Sequence, residues 1–242
     1  MAFDTKTFRT RALTAIVFVV VMLVGLFWNA WSFIVLLTII HFGCWVEFIK
    51  LLKKIKPYTY GFILPLGLLY ITLPICLLTL CGFPAINTIF YGASKTVWLY
   101  SPLLPCAIIF SIWINDTMAY IVGSFIGKTP LSKISPKKTW EGTLGGILLC
   151  ILIGGFLIGP LLNSNLTADI QHSFTSFTWF AIAALAGIFG TLGDLLESKL
   201  KRMANVKDSG AIMPGHGGFL DRFDSLLIVS IVTGLYYFFY MR

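Results

Sequence analysis

The run ALTAIVFVVVMLVGLFWNAWSFIVLLTIIHFGCWV, residues 12–46, contains no Asp, Glu, Lys or Arg. A membrane-spanning helix needs about 20 apolar residues, within a range of roughly 17–25, so this stretch is long enough for two. Its one turn signal is Asn29, flanked by Trp28 and Trp31. The run therefore reads as two helices, near 12–28 and 31–47. Working outward, apolar runs near 60–81, 102–125, 142–162, 177–199 and 223–241 add five more. The segment 82–101 fits neither a full span nor a solvated loop, and a re-entrant or interfacial piece is expected there. The expected fold class is all-α, a polytopic transmembrane helical bundle of about seven spans. It forms a single integral-membrane domain over residues 1–242.

Composition points the same way. The 242 residues are 57% hydrophobic and only 12% charged, and the mean hydropathy is +0.88. A soluble domain is nearer half apolar and about a quarter charged, so lipid must solvate most of this chain. The net charge of +8 does not indicate nucleic acid, because the basic residues form short clusters between apolar runs rather than one solvated face. Cys44, Cys76, Cys81, Cys106 and Cys150 form no C-x-x-C pair, which argues against zinc or a disulfide framework. They read as small core residues. Lys6, Arg9 and Arg11 precede the first apolar run as in a signal peptide. No small-x-small cleavage site follows before the next run, so an uncleaved first helix is expected.

Seven spans make a charge prediction. With the N-terminus inside, the cytoplasmic segments are 1–11, 48–59, 126–141 and 200–222. With Lys199 they hold 16 of the 18 lysines and arginines, leaving only Lys95 and Arg242 opposite. Basic residues gather on the cytoplasmic side of membrane proteins, and an extra span within 82–101 would spoil this separation. Of the ten acids, Asp169 alone then lies on the far side, while Asp116, Asp194 and Glu197 lie within spans. Intramembrane ionisable groups are costly and mark functional sites with nearby partners.

Two short patterns echo each other: Asp194-Leu-Leu-Glu197-Ser198 and Asp221-Arg-Phe-Asp224-Ser225. Positions i, i+3 and i+4 share a helix face, so each presents two carboxylates and a hydroxyl together. Such acids repel unless a cation neutralises them, and hard oxygen ligands suit Mg²⁺. Each pair alone would pass for ordinary acids at a helix end. Between them run Lys199, Lys201, Arg202, Lys207, Asp208 and Met213-Pro-Gly-His216-Gly-Gly218. Basic side chains bind phosphate oxygens, and glycines allow close backbone approach. Together these describe a metal and polyphosphate site at a membrane surface. A second constellation holds Asn115-Asp116-Thr117 and Ser135-Pro-Lys137-Lys138-Thr139-Trp-Glu141-Gly142. By itself the latter is a loop leading into a helix; on the same face it could hold a nucleotide phosphate or a lipid headgroup.

The run from Ser198 to Asp224 resembles the signature of CDP-diacylglycerol synthases (phosphatidate cytidylyltransferases), and the Asp116 and Ser135–Gly142 stretches are similar to that family's upstream blocks. The resemblance covers roughly 110–230, the implied catalytic core, and departs at Met118, where the family commonly has glycine. It implies Mg²⁺-dependent transfer of the cytidylyl group from CTP to phosphatidate. Asp194 and Asp221 are then metal ligands supported by Asp224 and Glu197, with Lys207 and Asp208 in the catalytic set. Lys201, Arg202, Arg222, Asp116, Ser135, Lys137, Lys138, Thr139 and Glu141 become substrate contacts. It further implies a second, monovalent cation and a homodimer. No general base is needed, and His216 reads as a tight-turn residue. Compact length and no organellar targeting segment point to a bacterial inner membrane, with the site facing the cytoplasm. The alternatives are a CDP-archaeol synthase or polyprenol kinase, and, from another class, an ion or phosphate transporter. Transporter sites lie near the midplane between repeated halves, whereas these acids crowd one face and no repeat is evident.

Overall fold

The computed structural model describes residues 5–90, 93–163, 175–211 and 217–241. Among the described residues seven long helices follow one another: α1 (Thr5–Phe27), α2 (Ala30–Ile55), α3 (Tyr60–Cys81), α4 (Leu103–Ile126), α5 (Trp140–Leu161), α6 (Ser176–Met203) and α7 (Leu220–Tyr240). Helices α2 to α7 are long and apolar enough to cross a membrane, and α1 contains the shorter apolar stretch Ala12–Phe27. Each lies where a hydropathic run predicts one. Large side chains such as Leu13, Phe62, Phe125 and Phe156 face outward. Buried polar groups, among them Glu47, Asn115, Glu197 and Asp224, lie inside. Apolar exterior around a partly polar interior is the arrangement of an integral membrane protein.

The turn between α1 and α2 falls at Asn29. Its side chain accepts from the Ser32 N–H at 2.8 Å, and the Ser32 hydroxyl accepts from the Asn29 N–H at 3.0 Å. This reciprocal capping box satisfies two donors that a helix start leaves open, which is why one asparagine suffices to divide a continuous apolar run.

The segment 82–101 contains an antiparallel hairpin of β1 (Ala85–Phe90) and β2 (Ala93–Trp98), with Ala85 opposite Trp98. It forms no extra span. Its base is tied by the Ser101 N–H to the Gly82 carbonyl at 2.9 Å and by the Tyr100 hydroxyl, which donates to the Leu26 carbonyl. Phe33, Phe83 and Tyr100 pack beneath it, with Phe33 and Tyr100 ring centroids 5.2 Å apart.

Small residues let the functional helices approach closely. A Cβ at Gly146 of α5 would lie 2.7 Å from the Ala119 Cβ and 2.8 Å from the Ala119 nitrogen of α4; Gly142 meets Gly123 in the same way. Such small-xxx-small spacing is a recurrent way of packing helices in lipid. Helix α6 approaches α7 just as closely at Gly193.

Candidate active site

Gly193 sets the site's geometry. A Cβ there would meet the Asp224 carbonyl at 2.6 Å and the Ser225 Cα at 2.9 Å, so α6 and α7 touch backbone to backbone beside their acidic ends. The Ser225 hydroxyl donates to the Gly190 carbonyl at 2.9 Å and pins the crossing. At this contact and within one turn of it, Asp194, Glu197 and Asp224 converge, offering oxygens within 4.8 Å of one another. Gly193→Ala is therefore expected to cost about 1–3 kcal/mol through overpacking and to weaken divalent-cation binding with it. Gly61→Ala, where nothing lies within 4 Å, should change neither. Chemical unfolding in detergent and a Mn²⁺ titration check both.

Two ammonium groups accompany the carboxylates. Lys138, from the loop between α4 and α5, is ion-paired with Asp194. Lys201 lies 2.5 Å from Glu197 Oε2 and 2.6 Å from Asp221 Oδ1. The four acids thus divide: three meet directly, and Asp221 faces them across Lys201. Asp221 is further held by Ser209 and Gly218, whose N–H groups each donate to Oδ2 at 2.8 Å. Glu197 is fully buried, and apart from Lys201 its oxygens have no donor among the described residues. A buried carboxylate with unused lone pairs beside two more is a donor set that fits a hard divalent cation.

The Ser135–Thr139 loop is a closed unit. The Leu131 N–H donates to the Lys138 carbonyl at 2.7 Å and the Trp140 N–H to the Thr129 carbonyl at 2.9 Å. Thr139 caps α5 by accepting from the Gly142 N–H at 3.1 Å. Glu141 accepts from the Lys128 and Thr129 N–H groups at 3.2 Å, holding the loop's neck. Between this loop, α4 and α6 opens a cavity of about 660 Å³, lined by Asp116, Tyr120, Ser135, Lys137, Lys138, Thr139, Thr191 and Asp194 among others. A smaller cavity of about 130 Å³ reaches Asp116, Asp221, Arg222 and Asp224 from the α1 side. Asp116 borders both, with Asn115 Nδ2 donating to it at 3.5 Å.

The remaining predicted contacts lie farther out. Arg202 is exposed and donates to the Val206 carbonyl at 3.3 Å. Lys207 and Asp208 are exposed in the loop after α6. Met213, Pro214 and His216 lie outside the described residues. Two residues absent from the sequence reading of the site stand within it: Ser209, buried between acids, and Glu47 of α2, also buried. An acid at the end of an apolar run was the available signal for Glu47.

A sequence profile of the cytidylyltransferase family matches residues 103–240. The chain belongs to this family. Among curated members, the phosphatidate cytidylyltransferase of Rickettsia felis is 32% identical over 236 residues, 96% of this chain and 93% of that protein. The chloroplastic phosphatidate cytidylyltransferase 4 of Arabidopsis thaliana is 40% identical over 168 residues, 63% of this chain and 39% of the relative. The Synechocystis sp. phosphatidate cytidylyltransferase is 42% identical over 127 residues, 52% of this chain and 40% of the relative. The chain thus aligns with about two fifths of the plant and cyanobacterial family members and nearly all of the Rickettsia one. The family match takes in α4 to α7 and so every residue of the acidic cluster.

Proposed function

We propose that this protein transfers the cytidylyl group of CTP to phosphatidate, forming CDP-diacylglycerol and pyrophosphate. The observation that carries the reading is the meeting of Asp194, Glu197 and Asp224 with Lys138 and Lys201 beside a cavity at one end of the bundle. In the reaction a phosphatidate oxygen bonds to the α-phosphorus of CTP, and the bond to the β-phosphate oxygen breaks. The nucleophile is already ionised at neutral pH, so no base is required. The site's work is to bring two anions together in line and neutralise them.

Asp194, Glu197 and Asp224 hold Mg²⁺ in this reading, with Asp221 as the fourth carboxylate of the centre. A divalent ion held by these carboxylates would supply the positive charge that phosphoryl chemistry between two anions needs. Ser135, Lys137, Lys138 and Thr139 hold the triphosphate on the cavity wall. Lys201 and Arg222 meet the lipid phosphate in this reading, with Arg202, Lys207 and Asp208 at the outer rim. Glu141 serves by fixing the loop that carries the lysines. The lysine-rich end of the bundle faces the cytoplasm of a bacterial cell. The monovalent second cation and the homodimer implied by the family resemblance belong to the same proposal.

The decisive experiment uses purified protein, phosphatidate and CTP labelled at either the α- or the γ-phosphorus. Label from the α position is expected in the lipid phase only with Mg²⁺, and γ label in pyrophosphate. Lipid carrying the γ label instead would identify a kinase, and ion flux without nucleotide conversion a transporter.

A further inference from the structure

Glu47 lies on α2, outside the family-matched segment, and is 1% exposed. Helix α7 begins without a side-chain cap of its own, so its first N–H groups need outside acceptors. Three successive donors are divided between two acids: the Gly218 N–H goes to Asp221 Oδ2 at 2.8 Å, Phe219 to Glu47 Oε1 at 3.0 Å, and Leu220 to Glu47 Oε2 at 2.9 Å. The Ser209 hydroxyl lies 2.6 Å from Glu47 Oε2 and 2.9 Å from Asp221 Oδ2. It has one proton, and the shorter contact assigns it to Glu47.

The surroundings are shaped around this carboxylate. A Cβ at Gly210 or Gly218 would run into it. One turn earlier on the same face of α2, Gly43 makes room for the Phe219 ring, 2.5 Å from where its Cβ would stand. Burying a carboxylate is costly unless it is fully hydrogen-bonded, and here its donors all belong to the segment that carries Asp221.

We propose that Glu47 is a positioning residue: through Ser209 and the first turn of α7 it fixes where Asp221 and Asp224 present their carboxylates. The inference rests on the cytidylyl-transfer reading for its consequence, but its geometry concerns the acids alone. Glu47→Gln keeps the shape and turns one oxygen into an NH₂ facing N–H donors.

The test is Mn²⁺ binding by electron paramagnetic resonance on the full-length protein in detergent, with steady-state kinetics and thermal unfolding alongside. Glu47→Gln is expected to raise the Mn²⁺ Kd about 10- to 100-fold, as loss of groups that orient metal ligands does. It should lower kcat while leaving KM for CTP little changed. Ser209→Ala is expected to reproduce part of the loss and to add less than its single effect when combined with Glu47→Gln, because the two share one link. An unchanged Mn²⁺ Kd in folded Glu47→Gln, or fully additive effects, overturns the inference. If Glu47→Gln does not fold, Ser209→Ala decides alone, and an unaltered Mn²⁺ Kd there overturns it. Wild-type protein that binds Mn²⁺ without converting CTP and phosphatidate defeats the functional reading, while the Mn²⁺ shift still decides the positioning role.

Discussion

Asp194→Asn is expected to lower kcat/KM for cytidylyl transfer by about 10³-fold, with Asp224→Asn close behind. Both remove one negative charge from a centre where three carboxylates meet within 4.8 Å. Charge stabilisation by a metal ion contributes several kcal/mol to a transition state, and each tenfold in rate is about 1.4 kcal/mol. Asp194 carries a further burden, because it holds Lys138 and accepts from the Ser198 hydroxyl at 3.2 Å. Its loss unsettles the cation and the loop lysine together. Asp221→Asn is expected to reduce turnover as well, acting through the Lys201 contact. The variants should remain folded, since Asp194 is partly exposed and an amide keeps the shape. Asp169→Asn, placed on the opposite side by the charge pattern, should change turnover about twofold at most, the range of ordinary surface substitutions. Equal losses in Asp194→Asn and Asp169→Asn would contradict both the site and the topology.

Lys201→Met has the largest expected effect on stability. Its side chain is 13% exposed, and its ammonium group lies between Glu197, fully buried, and Asp221. Removing one partner of a buried ion pair leaves an uncompensated charge and costs about 3–5 kcal/mol. The sign of the remedy follows from the same geometry. A divalent cation supplies the positive charge that the lysine no longer does, and a ligand that binds only the folded state raises stability by mass action. The melting temperature of Lys201→Met should therefore fall in chelator and recover with Mn²⁺ more steeply than that of the wild type. A variant that melts like the wild type in both conditions would remove Lys201 from the centre.

Much of this was legible in the chain. The helices follow hydropathy because lipid leaves a spanning segment no other way to satisfy its backbone, and Asn29 was recognisable as a turn. The acid pairs were readable because i, i+3 spacing fixes a helix face. The hairpin at 85–98 was missed, although Ala-Ile-Asn-Thr-Ile-Phe and Ala-Ser-Lys-Thr-Val-Trp are rich in the β-branched residues of strands; a search for spans does not look for them. Gly218 is legible as a place of close backbone approach, but the packing of the Glu47 carboxylate against it and against Gly210 is not. The ion pair of Lys201 with Asp221, 20 residues further on, is not legible in local spacing. Both contacts join residues far apart in the chain. Glu47 and Ser209 are 162 residues apart, and local spacing carries no information about such a pairing.

That separation bears on how the protein can be divided. The family-matched segment starts at residue 103, which invites treating α1–α3 as a mere membrane tether, replaceable or removable. Yet the loop before α7 is moored to α2, so excising the leading helices strips two backbone donors and one serine of their acceptor. The edge of the family profile thus separates an acid from the donors it serves, and a swap of N-terminal halves between relatives must carry its own matching acid and glycines to succeed.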